Sequence, residues 1–347
     1  MKHIIKNIAF PMTCLALALF MGSCDTDIES VDINEPGIEN QNSELYSTYL
    51  ANLKTYKTNS HKVVFGWFDN SKKMPASQGQ SIVAVPDSID YLVLTSPTNL
   101  NSRELNEVGS IRTNKSIKTL YEINYATIRA AYDAELQAFQ ENKNNAGKTF
   151  TSFNTYLVDS VQAKLALCDK YNYDGVVMTF SGKSKIYLDD NEKIETIGLE
   201  NDFIGIAKDW KGRHADKMLV LAGKPQNITD QTIFDLVSYI IIPCEAATSE
   251  SGITYAMTKA AVDGVPTNKL LPLVTFYSLD TSDKKTGYWA NGTYAAVGAA
   301  KWVVSDHDAF TIAGLALDNI NNDYYHASFV YPNVRKAISI INPTVKK

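Results

Sequence analysis

Short apolar segments alternate with segments of helical periodicity along residues 62–318. The apolar segments have the length and the β-branched or aromatic content of strands. They cover residues 63–68, 91–95, 119–125, 175–180, 218–222, 237–243, 271–277 and 312–317. The clearest intervening helix is predicted at about residues 153–171, where Leu157, Val161, Leu165 and Cys168 fall on one stripe and lead directly into the fourth segment.

This alternation predicts parallel strands that are joined by helical crossovers. Eight repeats favour a closed (β/α)8 TIM barrel, an α/β fold, over an open sheet. The first crossover, residues 71–88, holds Pro75, Gly79 and Pro86 and leaves little room for a helix, so we expect an incomplete first helical layer. A last helix near residues 334–341 should cover the outside of the barrel.

The first residues have the pattern of a bacterial lipoprotein signal. Lys2 and Lys6 precede an apolar stretch at 8–20, and small residues stand just before Cys24. A transmembrane helix would need about 20 apolar residues, and this stretch is shorter and interrupted by Pro11. The sequence therefore predicts a signal peptide at 1–23, a lipid-modified Cys24, a flexible acidic tether at 24–44 and the barrel at 45–347.

The tether is similar to that of lipoproteins of gut Bacteroidetes, in which acidic residues follow the lipidated cysteine on surface-exposed members. The resemblance implies an outer-membrane protein on the cell surface that contacts the membrane through its lipid anchor only.

Acids and bases are interspersed along the whole chain, which has a formal charge of -5, so nucleic acid is not an expected partner.

Cysteine and histidine usage gives no metal or redox motif. Outside the signal and the lipidation site remain Cys168 and Cys244, which form either one disulfide or two buried thiols; their apolar surroundings favour thiols. The five histidines form no paired pattern, and the G-x-S-x-G elbow of serine hydrolases does not occur. We expect neither a metal nor a cofactor.

Three stretches resemble glycoside hydrolase family 18, which contains chitinases and endo-β-N-acetylglucosaminidases. "YNYDG" at 171–175 is similar to the approach to the family's fourth strand, which ends D-G-x-D-x-D-x-E. "FGWFDN" at 65–70 and "VPDSIDYLVL" at 85–94 look like its first strand and the turn into its second. The resemblance covers most of residues 60–343 and implies the same barrel, with function at the C-terminal ends of the strands.

The fourth strand departs from the family pattern at each catalytic position. Val177 and Thr179 replace the two later aspartates, and Ser181 replaces the glutamate that protonates the leaving oxygen in the family. A serine hydroxyl cannot replace that acid, because its pKa lies far above working pH. The family's route also uses the substrate's own acetamide, an exception to the usual pair of protein carboxylates. We therefore expect no catalytic residue on this strand.

The resemblance, with this departure, implies a non-catalytic carbohydrate-binding protein. Its ligand would be an N-acetylglucosamine-containing oligosaccharide such as an N-glycan, held for an outer-membrane glycan importer and neighbouring glycosidases. One alternative is an active endo-β-N-acetylglucosaminidase-like enzyme with an acid from another loop, for which Glu245, Asp318 and Asp323 are candidates. Another is a scaffold that contacts a partner protein without binding sugar.

The candidate ligand-binding residues follow strand ends or lie in the long polar loop 277–294. They are Trp67, Asp69, Tyr125, Thr179, Ser181, Glu245, Tyr288, Trp289 and Asn319. Trp67 either contacts ligand or packs in the core, and Tyr125 either lines the mouth or packs under a loop. Tyr288 and Trp289 are expected to form an exposed aromatic platform. For Tyr239, on strand six, a core role is favoured. Strand eight carries Ala316 and Leu317 where active family members often place a tryptophan.

Overall fold

The computed structural model describes residues 42–308, 310–326 and 329–343. The chain divides into two units, Met1–Thr48 and Tyr49–Lys347. The predicted signal peptide, Cys24 and most of the predicted tether lie outside the described residues, and the predicted domain boundaries stay predictions. Among the described residues, no helix combines the length and the apolar character that crossing a membrane requires.

Eight parallel strands close into a barrel in chain order, which confirms the predicted (β/α)8 fold. The strands are β1 Val63–Phe68, β2 Tyr91–Leu94, β3 Lys118–Asn124, β4 Gly175–Phe180, β5 Met218–Gly223, β6 Tyr239–Pro243, β7 Leu270–Thr275 and β8 Gly314–Asp318. Each differs by two residues at most from its predicted bounds at either end. The strand β3 ends at Asn124 because its side chain accepts a hydrogen bond from the Ala126 N–H (2.9 Å) and caps the helix that follows.

Helices lie between most consecutive strands. They are α1 Ser43–Thr58, α2 Ser102–Lys115, α3 Tyr125–Glu141, α4 Phe153–Leu165, α5 Leu167–Lys170, α6 Asp190–Glu200, α7 Ile206–Arg213, α8 Ile233–Leu236, α9 Glu250–Ala260, α10 Ala295–Val303 and α11 Pro332–Ile341. A π-helical turn, Asn201–Gly205, joins α6 to α7. The predicted helix at 153–171 is therefore two helices, α4 and α5, separated at Ala166.

Two crossovers contain little helix. Between β1 and β2 the chain forms only the 3-10 turns Gln78–Gln80 and Ile82–Ala84, as the proline and glycine content of this segment predicts. Between β5 and β6 the α-helix α8 has 4 residues. The helical layer is consequently thin at both places, and the second of these gaps borders a groove described below.

The strands bury side chains on both faces, as parallel strands in a barrel do. Alternate residues form an inner core inside the barrel: Val63, Phe65, Trp67, Val93, Leu120, Val177, Val220, Ala222, Ile241, Leu271, Leu273 and Ala316. The residues between them pack against the helices in a larger outer core. Cys168 and Cys244 lie in that outer core as free thiols, and burial raises the pKa of each to about 12.

Candidate functional site at the barrel mouth

The first of the three altered positions of the fourth strand, Val177, faces the barrel interior. Val177 belongs to the inner core, while Val176 and Met178 face the helices. Thr179 stands one layer higher, and its Oγ1 is buried without a hydrogen-bond partner among the described residues. Ser181 is exposed at the end of the strand. No carboxyl group projects inward from β4 within Gly175–Phe180 or from Ser181.

The two residues that β4 keeps from the family pattern have structural roles. Asp174 accepts hydrogen bonds from Arg112 Nη2 (3.0 Å) and from the backbone N–H of Thr119 (2.7 Å), so it fastens the start of β4 to α2 and β3. Gly175 lies so close to β5 that a Cβ at this position would be 2.2 Å from the carbonyl oxygen of Met218. The structural part of the motif, Asp174 and Gly175, is therefore retained without the three later carboxylates.

A hydrogen-bonded chain links β1 to β3 inside the barrel, near the mouth. The indole Nε1–H of Trp67 donates to Glu122 Oε2 at 3.1 Å, and Asn124 Nδ2 donates to Glu122 Oε1 at 3.0 Å. Trp67 is only 5% exposed, so its ring is part of the inner core and lies below the opening rather than forming a free platform. Glu122 and Asn124 are half-buried at the layer above.

A second polar group forms where β7 and β8 end. Asp318 Oδ2 accepts hydrogen bonds from Asn319 Nδ2 (2.7 Å) and from Thr275 Oγ1 (3.3 Å). Asn319 is exposed and has a left-handed backbone, φ 55, which asparagine tolerates better than most residues. This geometry leaves the amide of Asn319 at the surface of the mouth beside the carboxylate of Asp318.

Three carboxyl groups, Glu122, Glu245 and Asp318, influence one another at the mouth. Burial raises the pKa of Asp318, and the charge of Glu122 adds to the increase. Loss of hydration also raises the pKa of Glu245, with further contributions from Asp318 and Glu122, although water reaches the Glu245 side chain. The mouth therefore brings three carboxyl groups together, and the pKa is raised at two of them, Glu245 and Asp318.

Sequence reasoning missed Glu122. The signal was present in "KTLYEIN", residues 118–124, where a glutamate falls on the same alternating face as Leu120 and Asn124. That face points into the barrel, so an acid near its end must lie at the mouth.

The two aromatic residues of the predicted platform differ in exposure. Trp289 is 6% exposed, and its ring packs on Gly298 of α10, where a Cβ would be 2.5 Å from the indole. The predicted platform is therefore wrong for Trp289, because the loop folds back to fill the space that the glycine leaves. Tyr288 is half-buried and packs against Tyr294 with ring centroids 5.1 Å apart.

Tyr125 begins α3 and packs edge-on against three phenylalanines, with the nearest ring centroid, that of Phe180, at 5.2 Å. It also lines a cavity of about 400 Å³ beside the end of β4, which we call the β4 cavity. Its other lining residues are Asn124, Ala126, Thr179, Phe180, Ser181, Gly182, Lys183, Glu192, Glu195, Thr196 and Leu199. Thr179, Ser181 and Tyr125 thus share one concave surface.

Other predicted residues serve the fold. Asp69 is exposed, and its Oδ1 accepts a hydrogen bond from the Ser71 N–H (2.8 Å) in a tight turn. Asp323 is fully buried and accepts three hydrogen bonds at the start of α11, from the Asn333 N–H, the Asn333 amide and the Val334 N–H, each at 2.8 Å. Asp323 is therefore not available as a replacement acid, which corrects that prediction.

Tyr239 packs inside the barrel with its ring centroid 5.6 Å from that of Phe65 and 5.6 Å from that of Tyr91. This is the core role that the sequence favoured. Among residues 42–308, 310–326 and 329–343, no group of three or more histidine, cysteine, aspartate or glutamate side chains could hold a metal ion.

The fold and the mouth define the class of the protein as a glycosidase-type (β/α)8 barrel whose fourth strand carries no inward acid. The chain belongs to glycoside hydrolase family 18, in its BT1044-like group, whose family model matches residues 26–340. No curated protein matches the chain.

Solved structures of related proteins have the same fold. A selenomethionine form of BT1044 is similar, with a TM-score of 0.61, 18% identity and coverage of 88% of this chain and 95% of that one. An endo-β-N-acetylglucosaminidase from Cordyceps militaris gives a TM-score of 0.59 at 15% identity over 85% of this chain and 96% of its own. A double variant of the Cordyceps enzyme was solved in complex with fucosyl-N-acetylglucosamine-Asn; its TM-score is 0.58 at 15% identity, over 85% of this chain and 95% of its own.

Proposed function

We propose that this chain binds an N-acetylglucosamine-containing glycan, such as an N-glycan, at the barrel mouth without cleaving it. The observation that carries the proposal is the segment of β4 and the residue after it, where Val177, Thr179 and Ser181 offer no proton donor of suitable pKa. Loss of general acid catalysis alone lowers a rate by about 100- to 10,000-fold. Membership of family 18 supports the ligand class.

The mouth offers groups that suit a sugar. Planar amides at Asn124 and Asn319 and a hydroxyl at Thr179 can exchange hydrogen bonds with sugar hydroxyls, and the β4 cavity provides a concave surface. The Oγ1 of Thr179 is buried without a hydrogen-bond partner among the described residues, and this supports glycan binding at the mouth. A ligand that hydrogen-bonds to this hydroxyl would remove the cost of its burial.

The cellular part of the proposal follows from the sequence. A lipid on Cys24 would hold the barrel on the outer-membrane surface, where it would pass glycan to an importer and to neighbouring glycosidases. Labelling of intact cells with a membrane-impermeant reagent tests the surface location. A Cys24→Ala variant should lose the lipid and leave the membrane fraction; retention of that variant in the membrane would contradict the anchor.

One observation favours a second function, an endo-acting glycosidase. Glu245 and Asp318 have raised pKa values at the mouth, and a general acid requires such a shift. Either residue could therefore replace the missing glutamate of β4.

Incubation with chitooligosaccharides and N-glycoproteins separates the two functions. We expect binding of intact glycan by calorimetry and no released glycan by mass spectrometry. Glycan release that is lost in Glu245→Gln or Asp318→Asn would instead establish the enzyme. A Glu250→Gln variant, which alters an exposed acid on α9, is the matched control. Failure to bind any glycan would leave the scaffold alternative.

A further inference from the structure

A large groove lies on the flank of the barrel beside the thin crossover between β5 and β6. It has a volume of about 1010 Å³, and we call it the flank groove. Its lining residues come from the loops after β4 and β5, the end of β6 and the region of α9: Gly182, Ser184, Lys185, Ile186, Gly223, Lys224, Gln226, Asn227, Ile228, Thr229, Ile242, Pro243, Tyr255, Ala256, Lys259 and Val262.

We propose that the flank groove binds a sugar ring that carries a carboxylate, such as a sialic or uronic acid unit of a glycan. This inference rests on the proposed function, glycan binding, and adds to it a second site with a defined ligand chemistry. The mouth would hold neutral sugar, and the flank groove would hold the acidic unit.

Charge is the first argument. The flank groove has three lysines and no acidic residue in its lining, although the chain as a whole has a formal charge of -5. Lys185 already pairs with Glu200 at 3.0 Å. For Lys224 and Lys259, both exposed, no ion pair with an acidic side chain occurs within the described residues. These two ammonium groups are free to meet a carboxylate.

The chemistry of the wall is the second argument. Tyr255 is 62% exposed, and Lys259 Nζ lies 4.9 Å from its ring centroid, so an aromatic face and a cation stand side by side. Gln226 Oε1 is buried without a hydrogen-bond partner among the described residues and belongs to the groove lining. A sugar offers C–H groups to the ring, a carboxylate to the lysine and a hydroxyl to the amide.

Position is the third argument. Gly182 lines both the flank groove and the β4 cavity, so the two concave surfaces are adjacent. The carboxyl groups of Glu122, Glu245 and Asp318 would repel an acidic sugar from the mouth, whereas the lysines of the flank groove attract it. The groove volume also suits a small ligand, because such sites measure about 300–1,000 Å³.

Calorimetric titration of the full chain tests this inference. The probes are sialyllactose, a glucuronate-containing oligosaccharide and neutral lactose, at low and high salt. We expect the acidic probes to bind more tightly than lactose and to weaken with salt. The Lys224→Gln/Lys259→Gln variant should lose about fivefold or more in affinity for acidic probes and change little for neutral chitooligosaccharide.

Two further variants keep the test specific. Tyr255→Ala should also weaken the acidic probes, and Lys301→Gln, an exposed lysine on α10, should not. Preference for sialyllactose over the glucuronate probe, or the reverse, identifies which acidic sugar the groove takes.

Equal affinity for acidic and neutral probes, or unchanged affinity in the double lysine variant, would overturn the inference. If neutral chitooligosaccharide still binds in that case, the proposed glycan binding at the mouth is not contradicted. Absence of binding to every glycan would overturn both.

Discussion

The indole nitrogen of Trp67 lies 3.1 Å from Oε2 of Glu122, and this hydrogen bond links β1 to β3 inside the barrel, just below the mouth. It fixes the orientation of a carboxylate that strand β4 does not supply. The family's acids occupy one strand, whereas the acids here come from β3, from the segment after β6 and from β8. The mouth therefore still holds acidic side chains, but they come from different strands than in the family pattern.

Replacement of Trp67 by phenylalanine should release Glu122. Most of the buried aromatic surface remains, so we expect a loss of about 1–2 kcal/mol in the free energy of unfolding from the missing hydrogen bond to a charged group. Affinity for chitooligosaccharide should fall with it, because Glu122 is no longer held in place. Chemical denaturation and calorimetry measure the two effects, and unchanged affinity would show that Glu122 does not shape the binding surface.

The raised pKa of Asp318 predicts a defined pH dependence of stability. Its pKa in the folded protein lies above the ordinary carboxyl value of 3.8, so the native state binds more protons than the unfolded state between these two values. The contribution of Asp318 to stability is therefore greatest below pH 3.8 and is lost as the pH rises through its folded pKa.

The Asp318→Asn variant should remove this pH dependence. Urea denaturation of both proteins over a pH series should show a stability difference that shifts in favour of the variant as the pH rises. Parallel curves at all pH values would contradict the raised pKa.

Loss of the buried carboxylate of Asp323 should destabilise the end of the barrel. Asp323→Ala leaves three hydrogen-bond donors at the start of α11 without their acceptor, so we expect a loss of about 3–5 kcal/mol. Asp189→Ala is the matched control, since Asp189 caps the exposed start of α6 and its loss should cost about 1 kcal/mol. Equal losses of unfolding free energy in the two variants would show that burial of the Asp323 hydrogen bonds adds nothing to stability.

Addition of a methyl group at Gly175 should disturb the junction of β4 and β5. The new Cβ would lie 2.2 Å from the carbonyl oxygen of Met218, and backbone must move to relieve the contact. We expect Gly175→Ala to lower the melting temperature markedly. Gly109→Ala in α2, where no atom lies within 4 Å, should raise stability by about 0.5–1 kcal/mol. An unchanged melting temperature in Gly175→Ala would show that β4 and β5 can move apart without loss of stability.

The order of strands and helices could be predicted from the sequence because it depends on local periodicity. Apolar runs such as 175–180 are buried on both faces, and the alternation with helical stripes permits few other topologies. The same alternation correctly placed Val177 toward the barrel interior, and the proline-containing segment 71–88 correctly indicated a crossover without an α-helix.

Tertiary structure decided which polar and aromatic side chains belong to the mouth. Asp318 ends strand eight and Asp323 follows it by five residues, yet Asp323 caps the start of α11 while Asp318 lies at the mouth. Trp289 lies in a polar loop but fills the space above Gly298. These outcomes depend on contacts between different elements, such as Asp323 with the start of α11 and Trp289 with α10, and the periodicity of a single element does not contain that information. The sequence by itself determined the barrel and its altered fourth strand; the three-dimensional packing alone determined where its acids meet, because electrostatic and packing interactions act through space.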